Sequence, residues 1–167
     1  MAGEGTLSIR DLKLYFETSK GHVQAVDDVS FDLFESRTLV IVGESGSGKS
    51  SLARAILRLL PKNIHTFSGE VLLDGEDIMS YSDERFRQRV RWSGISMVPQ
   101  AAMNAHNPVI KIERQVAEPL MVHGLSSLEE AKQKIREPFQ LGGVPLDLVN
   151  RYPFERSRGM RHRKAIA

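Results

Sequence analysis

Residues 38–60 read TLVIVGESGSGKSSLARAILRLL. After Thr38 every position to Val42 is apolar, a run that alternation does not explain and that suits a central strand dry on both faces. Glycines and serines interrupt it at Gly43 to Ser47, and from Ser51 to Leu60 apolar residues return at helical spacing as Leu52, Ile56, Leu59 and Leu60. Pro61 is expected to stop that helix. The order strand, glycine loop, helix decides the fold class as α/β.

The loop itself, GESGSGKS at Gly43–Ser50, is a full match to GxxxxGK[ST]. Glycines at 43, 46 and 48 allow positive φ and gather amide N–H groups around one phosphate. The helix that follows directs its positive end at the same charge, Lys49 can reach the outer phosphates, and the Ser50 hydroxyl can ligate Mg²⁺. The expected cradle is Gly43, Glu44, Ser45, Gly46, Ser47, Gly48, Lys49, Ser50 and Ser51, with a nucleoside triphosphate and Mg²⁺ as its ligands. A dinucleotide motif fails on spacing, since the third glycine of GxGxxG would fall at Ser51. No Asn-Lys-x-Asp segment is present to suggest a GTPase.

Outward from the loop, Leu7–Phe16 and Val23–Leu33 alternate and flank the turn-prone Ser19-Lys20-Gly21, which predicts an antiparallel pair. Gly69–Leu73 reads as a strand closing on the Asp74-Gly75 turn, Asp83–Trp92 as an exposed helix capped by its aspartate, and Ile95–Val98 as a further apolar strand. Beyond Gln100 the periodicity is mainly helical. Ser126 and Ser127, each with a glutamate three residues on, start a helix through about Arg136, closed by Pro138 and Gly142-Gly143.

The chain has 167 residues, 41% hydrophobic and 26% charged, enough for a globular core, and no cysteine, which excludes a disulfide scaffold and a thiol nucleophile. The net charge of +2 is uneven: residues 151–167 carry six Lys or Arg against one Glu. No stretch approaches the ~20 apolar residues that span a bilayer. The five histidines, at 22, 65, 106, 123 and 162, show no paired ligand spacing and read as surface or loop residues.

Several blocks taken in order, KLYFETSKGHVQAVDDVSF, LVIVGESGSGKSSLARAILRLLP, SGEVLLDGEDI, ISMVPQ and NPVIKIERQVAEPL, resemble the ATP-binding subunits of ABC importers, in the branch serving dipeptides, oligopeptides and in some members nickel. The resemblance implies a P-loop NTPase core with an N-terminal antiparallel β part over residues 1–100 and a helical subdomain over 101–167. It implies ATP and Mg²⁺ as cofactors, Tyr15 stacking on adenine, and Gln100 touching Mg²⁺ and the attacking water. It also implies transmembrane permease subunits and a second ATP-binding subunit as partners, no nucleic acid, and a cytoplasmic place at the inner face of the membrane.

The segment YPFERSRGMRHRKAIA sits where the family carries its signature, approximately ELSGGMRQR. Ser157 and Gly159 match residues that meet the phosphate held by the opposite subunit, while Arg158 replaces the first glycine, where a side chain obstructs close approach. The family also needs four apolar residues followed by Asp-Glu, and then a switch histidine; no such run occurs in these residues. Asp83-Glu84 and Glu129-Glu130 are in polar settings and receive no catalytic role. The chain is therefore expected to be incomplete at its C-terminus, with Thr38–Val42 left unpaired and apolar at an edge. Two alternatives stay open: a non-catalytic truncated nucleotide-binding fragment, and another P-loop phosphotransferase such as a kinase. Ser36 departs from the family by standing where a glycine usually turns the chain.

Overall fold

A computed structural model of the chain describes residues 6–91, 93–99, 106–122, 124, 127–143, 145–146 and 149–155. The chain divides into two compact units, residues 1–96 and 97–167.

In the first unit, β1 (Leu7–Thr18) and β2 (Gly21–Leu33) form the antiparallel pair that alternation predicts, each two residues longer toward the turn. The inward residues of β1, Ile9, Leu12 and Leu14, are spaced three and then two apart, and all are fully buried. A strand keeps all three on one face only by accommodating an extra residue. Asp11 is that residue: it takes φ 49°, and its N–H donates to Ser30 Oγ at 2.8 Å. β3 (Ile64–Leu73) pairs antiparallel with the other edge of β1 and begins five residues before the predicted Gly69. Gly69 faces the Asp11 bulge with φ +107°, and a Cβ there would lie 2.6 Å from Leu12 Cα. The two-residue turn Asp74-Gly75, both at positive φ, leads into β4 (Glu76–Asp77). The sheet order is β2-β1-β3-β4.

Helix α1 (Lys49–Ile56) packs Leu52 and Ala55 into the core that Ile9, Leu12, Leu14, Val26 and Val71 share. It ends four residues before the position at which Pro61 was expected to stop it. Arg58, at φ 50°, donates its N–H to Ala55 O, and the Leu59 N–H reaches Arg54 O, a Schellman arrangement that satisfies the last carbonyls. The Arg58 guanidinium is held by Tyr81 O, by the Asp83 carboxylate at 2.7 Å and by the face of Phe86. Helix α2 (Asp83–Phe86) passes into a π-helical turn, Arg87–Arg91, so it is shorter than the predicted Asp83–Trp92 and Trp92 is outside the described residues. Its cap is Ser82, whose Oγ accepts from Arg85 N–H; Asp83 lies inside the helix.

Two predicted strands are not formed. Neither Thr38–Val42 nor Ile95–Val98 belongs to a ladder. A strand exists by pairing with another, and among the described residues no strand pairs with either segment. Their side chains are correspondingly open, with Val40 72% and Val42 87% exposed. Ser36 carries φ 56°, which accounts for the glycine that the family pattern prefers there.

In the second unit, α3 (Ile112–Val122), α4 (Leu128–Lys134) and α5 (Arg136–Leu141) surround Ile112, Ile135, Phe139 and Val149, with Leu120 packed alongside. Met121 is exposed, and Leu125 and Ser126 lie outside the described residues. Ser127 and Glu130 form the capping box that opens α4. The predicted single helix is two, and Pro138 lies within α5 instead of closing α4, because a proline in a first turn forfeits no main-chain bond.

Candidate functional site

The glycine-rich loop is built where β2 meets the start of α1. Ala25 is the unpaired residue of an irregularity in β2, between Gln24 opposite Tyr15 and Val26 opposite Leu14. Its carbonyl stands against Gly48, which has φ +89°; a Cβ on Gly48 would lie 2.0 Å from that oxygen. Gly46 also takes positive φ, at 88°. Gly43 does not, contrary to the expectation for all three glycines. Its demand is spatial, since a Cβ there would approach Ser47 Oγ to 2.7 Å.

The Lys49 ammonium is folded back over this loop. Nζ donates to Gly43 O at 2.8 Å, to Glu44 O at 2.6 Å and to Ser47 Oγ at 3.1 Å. The first main-chain bond of α1 runs from Leu52 N–H to Gly48 O at 2.8 Å, so the amides of Lys49, Ser50 and Ser51 precede the ladder. No acidic residue stands in the first turn of α1, leaving the positive end of the helix without a carboxylate to offset it. A close-packed loop with a primary amine at its centre and a helix N-terminus behind it is complementary to a polyphosphate. The residues present therefore fit the phosphates of a nucleotide.

Beside the loop a cleft of about 530 Å³ opens between β2 and the segment that leads into it, with Asp27, Val29, Ile41, Val42, Lys49 and Leu52 among its walls. Tyr15 is on the outward face of β1, half-buried, and its hydroxyl donates to the Asp27 carboxylate. That bond, with some burial and the charges of Asp27 and Asp28, holds the phenol above its ordinary pKa. Asp27 thus joins the expected base-stacking tyrosine to the cleft wall. Nothing in the sequence marks Ala25 or Asp27, since each owes its place to the irregular register of β2. Gln100, Ser157 and Gly159 lie outside the described residues.

A larger hollow of about 650 Å³ lies at the other end of α1, by Arg58, Phe67, Met79, Phe86 and Arg91. Its cations are already committed: Arg58 pairs with Asp83, Arg87 with Glu84, and Arg91 donates to the carbonyls of Leu57 and Arg58.

Comparison with known proteins agrees with the loop. Residues 26–167 match the family described as ABC transporter. The oligopeptide transport ATP-binding protein OppD of Bacillus subtilis (strain 168) is 42% identical over 96% of this chain and 46% of its own length. The dipeptide transport ATP-binding protein DppD of Lactococcus lactis subsp. cremoris is 38% identical over 100% of this chain and 48% of its own. The chain spans about half the length of the curated relatives it matches. Among solved structures, a dimeric bacterial ABC transporter cassette superposes with a TM-score of 0.81 at 24% identity, covering 96% of this chain and 67% of that one, which shows the shared fold.

Proposed function

The chain belongs to the ABC transporter family, and from that premise we propose that it is the nucleotide-binding part of an ATP-binding subunit that powers peptide import. The domain reading goes with it: residues 1–100 as the N-terminal part of the nucleotide-binding core and 101–167 as the helical subdomain ending in the altered signature. Gly43–Ser51 hold the phosphates of ATP, Ser50 and Gln100 ligate Mg²⁺, and Tyr15 stacks on the adenine. Ser157 and Gly159 face the nucleotide of a second ATP-binding subunit. Permease subunits receive the work at the inner face of the membrane. Peptide as the solute is supported by relatives 42% and 38% identical that are named for oligopeptide and dipeptide transport. No helix among the described residues is long and apolar enough to cross a membrane.

The observation that carries this reading is the position of Lys49 over Gly43 and Glu44, at the N-terminus of α1. Bound Mg²⁺ would neutralise charge on the outer phosphate oxygens. The chain's own part is to bind and orient: amides and ammonium fix the phosphates. Within these residues no Asp-Glu pair follows four apolar residues, so binding without appreciable turnover is expected of this chain. Titration with a fluorescent ATP analogue tests it. Mg²⁺-dependent binding that Lys49→Ala weakens at least about tenfold supports the site; equal binding by the variant overturns it. The family assignment also sets aside the kinase alternative.

A further inference from the structure

Tyr15 is tied at its hydroxyl and open on its ring face. The hydroxyl donates to Asp27 Oδ1, and a bond to an ionised acceptor is stronger than one between neutral groups. Among the described residues no ring or guanidinium stacks on Tyr15. Tyr81 is the contrast: its hydroxyl also donates to a carboxylate, that of Glu76, but Arg85 covers its ring at 3.8 Å. Asp27 is reserved for Tyr15, since the adjacent Asp28 faces Lys13 at 3.5 Å and Asp27 makes no ion pair among the described residues. The slip in β2 sets this arrangement. Leu14 faces Val26 and Tyr15 faces Gln24, and the carbonyl of the intervening Ala25 stands against Gly48. Residues 25–27 of β2 therefore touch the phosphate loop at one end and hold the tyrosine at the other, and Asp27 is also in the wall of the cleft beside the loop.

We propose that Asp27 is a positioning residue for base binding, fixing the Tyr15 ring through its hydroxyl in the orientation on which a nucleotide base stacks. The proposal rests on the reading of the loop as a nucleotide site with Tyr15 as its base platform. Ordering a free side chain on association weakens binding about three- to tenfold, and a ring already held by Asp27 is spared that loss. Every base has a stacking face, so Asp27 serves affinity for a base as such and not the choice among bases.

The test is calorimetric titration of the whole chain with ATP, inosine triphosphate and inorganic tripolyphosphate, each with Mg²⁺. Asp27→Ala should weaken ATP and inosine triphosphate alike, by about three- to tenfold, and leave tripolyphosphate unchanged. Tyr15→Phe should do the same, and adding Asp27→Ala to it should have no further effect, because the two residues act as one. Asp27→Asn keeps an oxygen acceptor and should retain most of the affinity. Alkaline difference spectra give an independent readout. The Asp27 bond is the leading cause of the raised Tyr15 pKa, so Asp27→Ala should lower the pH at which one of the three tyrosines ionises. Unchanged ATP affinity in Asp27→Ala, an equal loss for tripolyphosphate, a loss for only one of the two nucleotides, or additive losses in the double variant each overturn the proposal while tripolyphosphate binding upholds the loop. Failure of wild-type protein to bind tripolyphosphate overturns the loop reading, and the proposal with it.

Discussion

A methyl group on Gly48 would stand 2.0 Å from the carbonyl oxygen of Ala25, so the phosphate loop and β2 touch where only hydrogen fits. Ala25 cannot withdraw easily, because Gln24 and Val26 on either side of it are both paired to β1. Gly48→Ala should therefore displace the loop from the strand, adding the strain of a left-handed residue, about 1–2 kcal/mol, to the clash. Nucleotide affinity should fall at least about tenfold. Gly46→Ala, with positive φ and no atom within 4 Å of the new Cβ, should have the milder effect. Titration of both variants with the same ATP analogue checks the order, and the reverse order contradicts it.

Gly69 makes the corresponding demand in the sheet. Its Cβ would meet Leu12 Cα, Asp11 O and Arg10 O, all backbone atoms within 2.8 Å. Gly69→Ala should destabilise the first unit by about 3 kcal/mol or more, seen as a lower urea midpoint. A change below about 0.5 kcal/mol would show that β3 can slide away from the bulge.

The open apolar run before the loop predicts self-association. Val40 and Val42 are 72% and 87% exposed, and no strand pairs with their segment among the described residues, the kind of unpaired backbone that templates other chains. Light scattering should rise with protein concentration, and Val40→Lys should reduce it. A monomer with a cooperative melting transition at micromolar concentration would contradict this.

Glu130 provides a pH dependence in the second unit. Its carboxylate accepts from the Ser127 backbone N–H and hydroxyl, and these bonds, backbone first, hold its pKa below the ordinary glutamate value. A lowered folded pKa means the stabilisation is complete above about pH 4.3 and is lost as pH falls through the lower folded value. The helicity of α4 should decline over that acid window, and Glu130→Gln should flatten the decline. An unchanged profile in the variant would show that the capping box does not govern it.

The loop motif was legible because each residue type has a chemical duty at fixed spacing, and the structure folds Lys49 back onto Gly43, Glu44 and Ser47. The β1–β2 pair was equally legible from alternation. What escaped was everything that depends on register. Asp11, Ala25 and His65 are extra residues in their ladders, and from them follow the Gly69 contact, the Gly48 contact and the stacking of the His65 ring on that of His22. Periodicity over a few residues does not encode where a ladder slips. The strand reading of Thr38–Val42 failed for a different reason: composition signals suitability for a buried strand, but only a partner makes one.

The central claim is that the amides around Lys49, together with its ammonium, hold a nucleotide's phosphates. Backbone ¹H–¹⁵N spectra recorded while Mg-ATP is added address those amides one by one. The account predicts that the signals of Gly46 through Ser51 move first and together, and that Lys49→Ala suppresses the response. Signals that stay fixed at these residues while others saturate elsewhere would contradict it.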